Sequence, residues 1–592
     1  MPDDIETAAA RPVQADGMLI DYDVPIAMDD GVVLRADVFR PADGAPAPVI
    51  LSCGPYAKGL DFLDAFGFQW QKMVGDHPDV AAGSSNKYQN WEVADPEKWV
   101  PDGYVCVRVD SRGAGRSPGH LDVWSPRETK DLFDCIEWAA AQPWSTGKVG
   151  LNGISYYAIN QWQVAGLQPP HLAGMVAWEG AADYYRDIGY HGGIYSQFVE
   201  RWYPRQVVRV QYGLASRAPS NPNTGKSVAG DEQLSDQQRA RNRSDAGADI
   251  RAHPLDDQWH RQRSADWSRV TVPFLSSGNW GGQGLHPRGN FEAFTQAASD
   301  NKWLEVHGDA HWSHFYTDYG RKLQKRFFDR FLKGLDNGWD EEPRVLLNVR
   351  HPQERFVLRK ERQWPLARTQ WTKLYLNAAD LSLDRQLAAA PSEITYDGLG
   401  DGITFTLPVM QEQTELTGPL AAKLFISSQT QDADVFLIVR LFDPQGEEVT
   451  FQGALDPNTP IAQGWLRASH RKLDVARSVA HRPYHSHDEP QPLTPDEIYE
   501  LNVEIWPTSI VVPPGYQLRL TVRGQDYEYQ GELSDYARAF HASRGEAGSR
   551  SGCGPFTHAD AGDRPSDVFG GKVTLVTGGR HDAHLLVPVI PA

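Results

Sequence analysis

A short strand-like run, Val149-Gly150-Leu151, leads directly into Gly153-Ile154-Ser155-Tyr156-Tyr157-Ala158, and a helical stretch through Gln161 and Val164 follows. A strand that turns this tightly into a helix belongs to a sheet covered by helices, and a serine at the turn has its hydroxyl lifted clear of the backbone. Gly153 answers the need for a small residue where backbones pass closely. The second small position, two after the serine, is Tyr157, with Ala158 one further on, so the G-x-S-x-G pattern is not met. On the motif alone, Ser155 is as readily a helix cap as a nucleophile.

The flanking sequence extends the same architecture. Val49-Ile50-Leu51 and Tyr104-Val105-Cys106-Val107-Arg108-Val109 are short, apolar and bounded by turn residues, as expected of parallel strands covered on both faces. Between Arg127 and Ala141, Leu132, Phe133, Ile136, Trp138 and Ala139 recur at helical spacing. Ahead of these, Met18 to Pro48 alternates apolar and polar residues around Asp29-Asp30-Gly31, which predicts a hairpin. From about Asp187 to Asp266 the rhythm breaks into Arg, Gln, Asn, Ser and aromatics, with a polar stretch at Ser216 to Asp249; this reads as an inserted, mostly helical cap with a mobile loop. Strand and helix return with Val272 to Leu275, Trp303 to Val306 and a helix from about Asp318 to Leu335.

Beyond Glu342 the class changes. Val345 to Val349, Thr372 to Leu376, Val435 to Val439 and Gln517 to Val522 recur between Gly, Pro and Asp turns, which predicts a β-sandwich of jelly-roll type. The expected organisation is a tail over 1–17, a discontinuous α/β-hydrolase domain over 18–186 and 265–341, a helical cap over 187–264 and a jelly-roll β-sandwich over 342–592. With 592 residues and 19 Trp the chain can bury several cores.

A formal charge of −19 argues against an extended nucleic-acid or anionic-membrane surface, which needs clustered Lys and Arg. The four cysteines are widely spaced and read as reduced core residues, and no window approaches the apolar length of a membrane span. The acidic start lacks a secretory pattern, so a cytoplasmic enzyme is expected. Arg112 and Arg116 flank glycines but lack P-loop spacing, so nucleotide binding is rejected; His481, His485 and His487 read as surface solvation rather than a metal site. No cofactor and no metal are expected.

Several motifs in order carry a resemblance. Gly54-Pro55-Tyr56 follows an early strand. Asp110-Ser111-Arg112-Gly113-Ala114-Gly115-Arg116-Ser117-Pro118-Gly119 follows another, Gln142 to Gly150 leads into the Gly153-Ile154-Ser155-Tyr156 turn, and Trp312-Ser313-His314 follows a late strand. Together they resemble the Xaa-Pro dipeptidyl-peptidase, cocaine esterase and glutaryl-7-aminocephalosporanic-acid acylase group of serine hydrolases over nearly the whole chain, including its C-terminal β-sandwich. The resemblance implies Ser155 as nucleophile, His314 as base with His311 as the fallback, and an oxyanion hole from the Tyr56 phenol and the Tyr156 backbone N–H. Such a preorganised donor contributes about 3 kcal/mol to the transition state.

The acid departs from the group. Relatives carry Asp in a Gly-Trp-x-Asp-like stretch, whereas Ser277-Gly278-Asn279-Trp280-Gly281-Gly282-Gln283-Gly284 holds no carboxylate. Asn279 is a neutral substitute. Glu179, directly after the strand-like Ala173 to Trp178, would open on the same sheet edge as Ser155 and keep the order serine, acid, histidine. Asp183, otherwise a cap-entry residue, and Asp309, otherwise a turn former, are the remaining alternatives. The expected activity is cleavage of an ester or amide bond of a small molecule or short peptide; a homo-oligomer is compatible. The alternatives are a dipeptidyl-peptidase-type aminopeptidase and, from another class, a weakened ligand-binding protein that uses its β-sandwich.

Overall fold

The structure is a computed structural model and describes residues 12–544 and 551–591. Most of the predicted tail, residues 1–11, lies outside them.

The N-terminal hairpin forms as the alternation predicts: β1 (Met18–Ala27) pairs antiparallel with β2 (Val33–Pro41). β2 pairs antiparallel with β4 (Val105–Asp110), and from there the sheet is parallel. β4 lies beside β3 (Ala47–Gly54), β3 beside β5 (Ser145–Ile154), and β5 beside β6 (Leu172–Trp178). Then come β7 (Phe274–Asn279), β8 (Lys302–His307) and β9 (Val345–His351). The order 1-2-4-3-5-6-7-8 is that of an α/β-hydrolase sheet, and β9 extends it in parallel. β3 and β4 are buried along their whole length, as their unbroken apolar runs require of strands covered on both faces.

Between the strands, α1 (Pro126–Ala140) starts where Ser125 accepts from the Glu128 N–H with Pro126 in the first turn, and it buries Leu132, Cys135, Ile136 and Ala139. Each large aliphatic side chain so buried contributes about 2 kcal/mol. α2 (Tyr156–Ala165) follows the Ser155 turn and is buried throughout, so it lies in the core and not on the surface. The segment between β6 and β7 contains short helices, among them α3 (Phe198–Trp202), Asp236–Arg241 and Ala246–Ala252. α4 (Pro287–Gln296) and α5 (Asp318–Phe331) pack near β7 and β8.

β9 begins after position 342, where the sequence turns β-rich, yet it pairs in parallel with β8 and so joins the hydrolase sheet; β10 (Arg355–Glu361) pairs antiparallel on its other side. A separate C-terminal domain follows. β11 (Gln370–Asn377) pairs with β16 (His584–Ile590), β12 (Thr414–Ser428) with β14 (Tyr499–Val512), and β13 (Asp434–Phe442) with β15 (Gln517–Arg523), all antiparallel. Its core contains Leu424, Val435, Leu437, Leu501 and Leu520. The domain is tied to the rest through Arg288, which reaches Asp187 and Glu504 at 3.1 Å each. Among the described residues no helix is long and apolar enough to cross a membrane.

Candidate active site

The carboxyl ends of neighbouring parallel strands open on one edge, and the chemistry-bearing residues gather there. Ser155 stands between β5 and α2 with φ 56° and ψ −111°. Its amide bonds to Trp178 O at 3.0 Å, and the Ile154 amide to Glu92 O at 3.0 Å, so the turn is fastened on both sides. A Cβ at Gly153 would strike Tyr157 Cβ, which is why that position is glycine. Tyr157 replaces the usual small residue because room is made elsewhere: its ring lies against Gly54, where a Cβ would also collide with it. Glu92, Glu179 and Asp309 likewise have positive φ (63°, 51° and 71°). Strain of about 1 kcal/mol or more at each such residue, gathered in one place, marks a site held in shape by its surroundings.

Ser155 Oγ lies 3.0 Å from His286 Nε2. His286 sits just before α4, in the loop after β7, and is fully buried. Its Nδ1 is 3.8 Å from Glu179 Oε2 and has no hydrogen bond. Glu179, at the end of β6, is also fully buried and accepts from His311 Nδ1 at 2.7 Å, His307 Nε2 at 3.1 Å and Asn279 Nδ2 at 3.2 Å. His311 Nε2 reaches Glu92 Oε1 at 3.0 Å, and His307 Nδ1 reaches Glu305 Oε2 at 2.8 Å. The result is a buried chain of alternating carboxylates and imidazoles, Glu305–His307–Glu179–His311–Glu92, with the His286 ring stacked on His311 at 4.8 Å.

Charge follows from this alternation. Burial works against charge on both histidines, but Glu179 and Glu92 push His311 up to about 10, and Glu305 and Glu179 push His307 up to about 9. Burial opposes the Glu179 carboxylate too, yet His311 and His307 hold it well below the usual range. His286 goes the other way: burial and the His311 cation push it down to about 3, so it is neutral and its Nε2 can accept the Ser155 proton. For a divalent cation, Glu179, His286 and His311 each offer a ligand atom, all within 4.8 Å of one another. Glu179 and His311 are already committed to each other, which leaves His286 Nδ1 as the one donor atom of the three without a partner.

The other residues singled out by sequence fall as follows. His314, expected as the base, lies in the short helix Ser313–Tyr316 with its ring 5.2 Å from His307 and 5.8 Å from His77; it does not line the cavity over Ser155. The imidazole at Ser155 is therefore His286 and not His314, because that helix turns position 314 away from the nucleophile. Asn279 donates to Glu179 and accepts nothing from an imidazole; its oxygen takes the Gly281 N–H at 2.9 Å. Asp183 caps the Arg186 N–H and pairs with the Arg186 side chain, both at 2.9 Å, and Asp309 meets His77 Nε2 at 2.7 Å. Tyr56 lies in the cavity with its hydroxyl accepting from Trp202 Nε1 at 2.9 Å, so its own proton is free to be donated. The Tyr156 phenol is turned back to Glu128 at 2.5 Å, while its N–H is in the first turn of α2, where no intrahelical acceptor exists. Trp202, Trp91 and Trp312 line the cavity, whereas Trp162, Trp178 and Trp280 are core.

His286 was missed by sequence reasoning. The signal in the sequence is its place, in the loop after β7 two residues beyond Gly284. The cavity has a volume of about 310 Å³, with Ser155, Tyr56, Glu92, His286 and His311 in its wall.

Comparison with known proteins adds to this geometry. Residues 30–316 match the X-Pro dipeptidyl-peptidase (S15 family) model, and residues 337–534 match the X-Pro dipeptidyl-peptidase C-terminal non-catalytic domain. A putative serine esterase of Mycobacterium bovis is 25% identical, over 88% of this chain and 94% of that protein. Cocaine esterase of Rhodococcus is 25% identical, over 85% and 90%. The crystal structure of a hydrolase of the CocE/NonD family from Staphylococcus aureus superposes with a TM-score of 0.81 at 32% identity, covering 97% of this chain and 94% of that one.

Proposed function

Because the chain belongs to the CocE/NonD family and is a serine hydrolase, we propose that Ser155, His286 and Glu179 form its catalytic triad. The observation that carries this reading is the 3.0 Å contact between Ser155 Oγ and His286 Nε2 at a strained strand-to-helix turn. His286 takes the hydroxyl proton as Oγ attacks the acyl carbon, and Glu179 stabilises the imidazolium that forms. The 3.8 Å gap between them closes as that charge develops, since resting-state catalytic contacts are commonly long. The Tyr56 hydroxyl and the Tyr156 N–H receive the oxyanion, His286 returns the proton to the leaving group, and water repeats the sequence on the acyl-enzyme.

A second reading rests on the 2.7 Å contact of His311 Nδ1 with Glu179, the shorter acid–imidazole pair of the two. In it His311 is the base. It is disfavoured because His311 Nε2 is engaged by Glu92 and the ring stays protonated at neutral pH. The substrate is a small ester or amide, with a peptide bearing an N-terminal Xaa-Pro dipeptide as the alternative. The C-terminal domain we read as a jelly roll, and the enzyme as cytoplasmic. The test is p-nitrophenyl butyrate and Ala-Pro p-nitroanilide hydrolysis by wild type, Ser155→Ala, His286→Gln and His311→Gln, with fluorophosphonate labelling. Loss of both turnover and labelling in Ser155→Ala, and a larger loss in His286→Gln than in His311→Gln, is the expected pattern; full activity in Ser155→Ala overturns the assignment.

A further inference from the structure

Part of the wall of the cavity over Ser155 is basic, in a chain whose formal charge is −19. α3 continues through the helical turns Tyr203–Val207 and Val208–Val210, so Arg201, Arg205 and Arg209 recur every fourth residue, and all three line the cavity over Ser155. Arg544 joins them from the C-terminal domain. Among the described residues the cavity has one carboxylate in its wall, Glu92, and that is held by the His311 imidazolium. Among the described residues Arg201 and Arg209 have no carboxylate partner and no side-chain hydrogen bond, unlike Arg112, which pairs with Asp131, and Arg186, which pairs with Asp256. Burial alone holds Arg209 below the ordinary guanidinium value, with no acid to offset it. Unpaired guanidinium groups in a cavity wall attract anions, and their planar donor forks match a carboxylate.

We propose that this cavity selects acyl substrates that carry a carboxylate away from the scissile carbonyl, with Arg201 and Arg209 as the residues that recognise it. The proposal rests on Ser155 as the nucleophile of the same cavity and goes beyond it by naming the substrate class. The arginines stand on the cap and the catalytic groups on the sheet edge, so a substrate charged at its far end spans the two.

The experiment compares mono-p-nitrophenyl succinate with p-nitrophenyl butyrate, esters of four-carbon acids that differ by the terminal carboxylate. The expected result is a kcat/KM at least about tenfold higher for the succinate ester at low salt, a ratio that shrinks toward unity in 1 M NaCl. In Arg201→Gln/Arg209→Gln the ratio falls about tenfold, through a higher KM for the succinate ester. A wild-type ratio at or below one, or a ratio that neither salt nor the double variant changes, overturns the proposal and leaves Ser155-dependent butyrate hydrolysis standing. Should wild type turn over neither ester, the serine-hydrolase reading falls by itself, and succinate binding by calorimetry then decides the anion site: salt-sensitive binding weakened in the double variant supports it, and no binding overturns it. The wild-type salt series keeps the test decisive if the double variant does not fold.

Discussion

Replacing Glu179 by Gln keeps the side chain's shape and removes one charge from the middle of the buried relay. Its catalytic effect follows from distance. A carboxylate 3.8 Å from the His286 imidazolium that forms during acyl transfer stabilises it by about 4 kcal/mol at an effective dielectric of about 20. Loss of that term lowers kcat about a thousandfold, with KM little changed because the charge exists only in the transition state. Stability falls as well, because His311 and His307 lose a shared partner; each retains one other carboxylate, so the cost is at the lower end for a broken buried pair, about 3 kcal/mol. The pH dependence has a definite sign. Glu179 is depressed in the folded state, so its contribution is present above the ordinary carboxylate value of 4.5 and is lost as pH falls below it. His311 is raised from 6.5 to about 10, so its contribution is fully present below 6.5 and is lost as pH rises toward 10. The gap in Tm between wild type and Glu179→Gln is therefore widest near pH 5.5 and narrows toward pH 10. The assay is kcat and KM on p-nitrophenyl butyrate together with thermal unfolding at pH 5.5, 7.5 and 9.5. A Glu179→Gln variant that keeps kcat within threefold refutes the relocated acid, and a Tm gap that widens with pH refutes the charge assignment of the relay.

Other substitutions probe separate parts of the site. Tyr56→Phe deletes a donor whose proton is free, and is expected to lower kcat about a hundredfold with the Tm nearly unchanged; a loss under threefold removes Tyr56 from the oxyanion hole. With His286 down at about 3, kcat/KM in wild type stays level from pH 5 to 8, and an acid limb near 6.5 would show an ordinary histidine as base. Gly153→Ala forces a Cβ into Tyr157, so a fall in Tm and loss of fluorophosphonate labelling are expected together; an unchanged Tm would mean the turn has slack. Arg288→Met strands Asp187 in a buried position and is expected to cost about 3 to 5 kcal/mol, read as a large Tm drop, with a wild-type Tm showing the interdomain tie to be inert.

The sheet was legible because its signal is local. β3 and β4 announce themselves by short apolar runs rich in Val and Ile, and α1 by its apolar stripe between Ser125 and the next strand. β9 was legible as a strand but not as a member of the hydrolase sheet, since nothing within Val345 to His351 states which neighbour it pairs with; that is settled by contact with Leu304 to Val306, about forty residues earlier. The site divides in the same way. Ser155, Glu179 and Tyr56 each follow a strand, and parallel strands deliver their ends to one edge, so position in the chain was enough. Choosing among histidines was not possible on that basis, because His286, His307, His311 and His314 all stand near the ends of β7 and β8, and only three-dimensional geometry separates the ring at Ser155 from the ring three residues past His311.

In the proposed triad, the lack of a carboxylate in the stretch Ser277 to Gly284 has a steric cause on the C-terminal side. Gly281 lies in the stretch where relatives were expected to carry their carboxylate, and a Cβ there would run into Gly453 Cα. The contact is fixed by hydrogen bonds: the Ala454 amide donates to Gly281 O at 3.1 Å, and Ala454 O accepts from the His311 amide at 3.0 Å. The loop of the C-terminal domain thus occupies the space a longer side chain at 281 would need, and at the same time positions the backbone of His311. With that position closed, the carboxylate shared by His307 and His311 comes from the neighbouring strand end, where Glu179 stands with φ 51° and its amide bonded to Ser277 O at 2.6 Å. It follows that Gly281→Asp cannot restore the acid to the stretch while the 453–454 loop is packed there. In Glu179→Gln the added Gly281→Asp is expected to leave kcat as low as before and to lower Tm further, and a rescue of kcat by that second substitution would show that the loop yields and that packing does not explain the acid's new place.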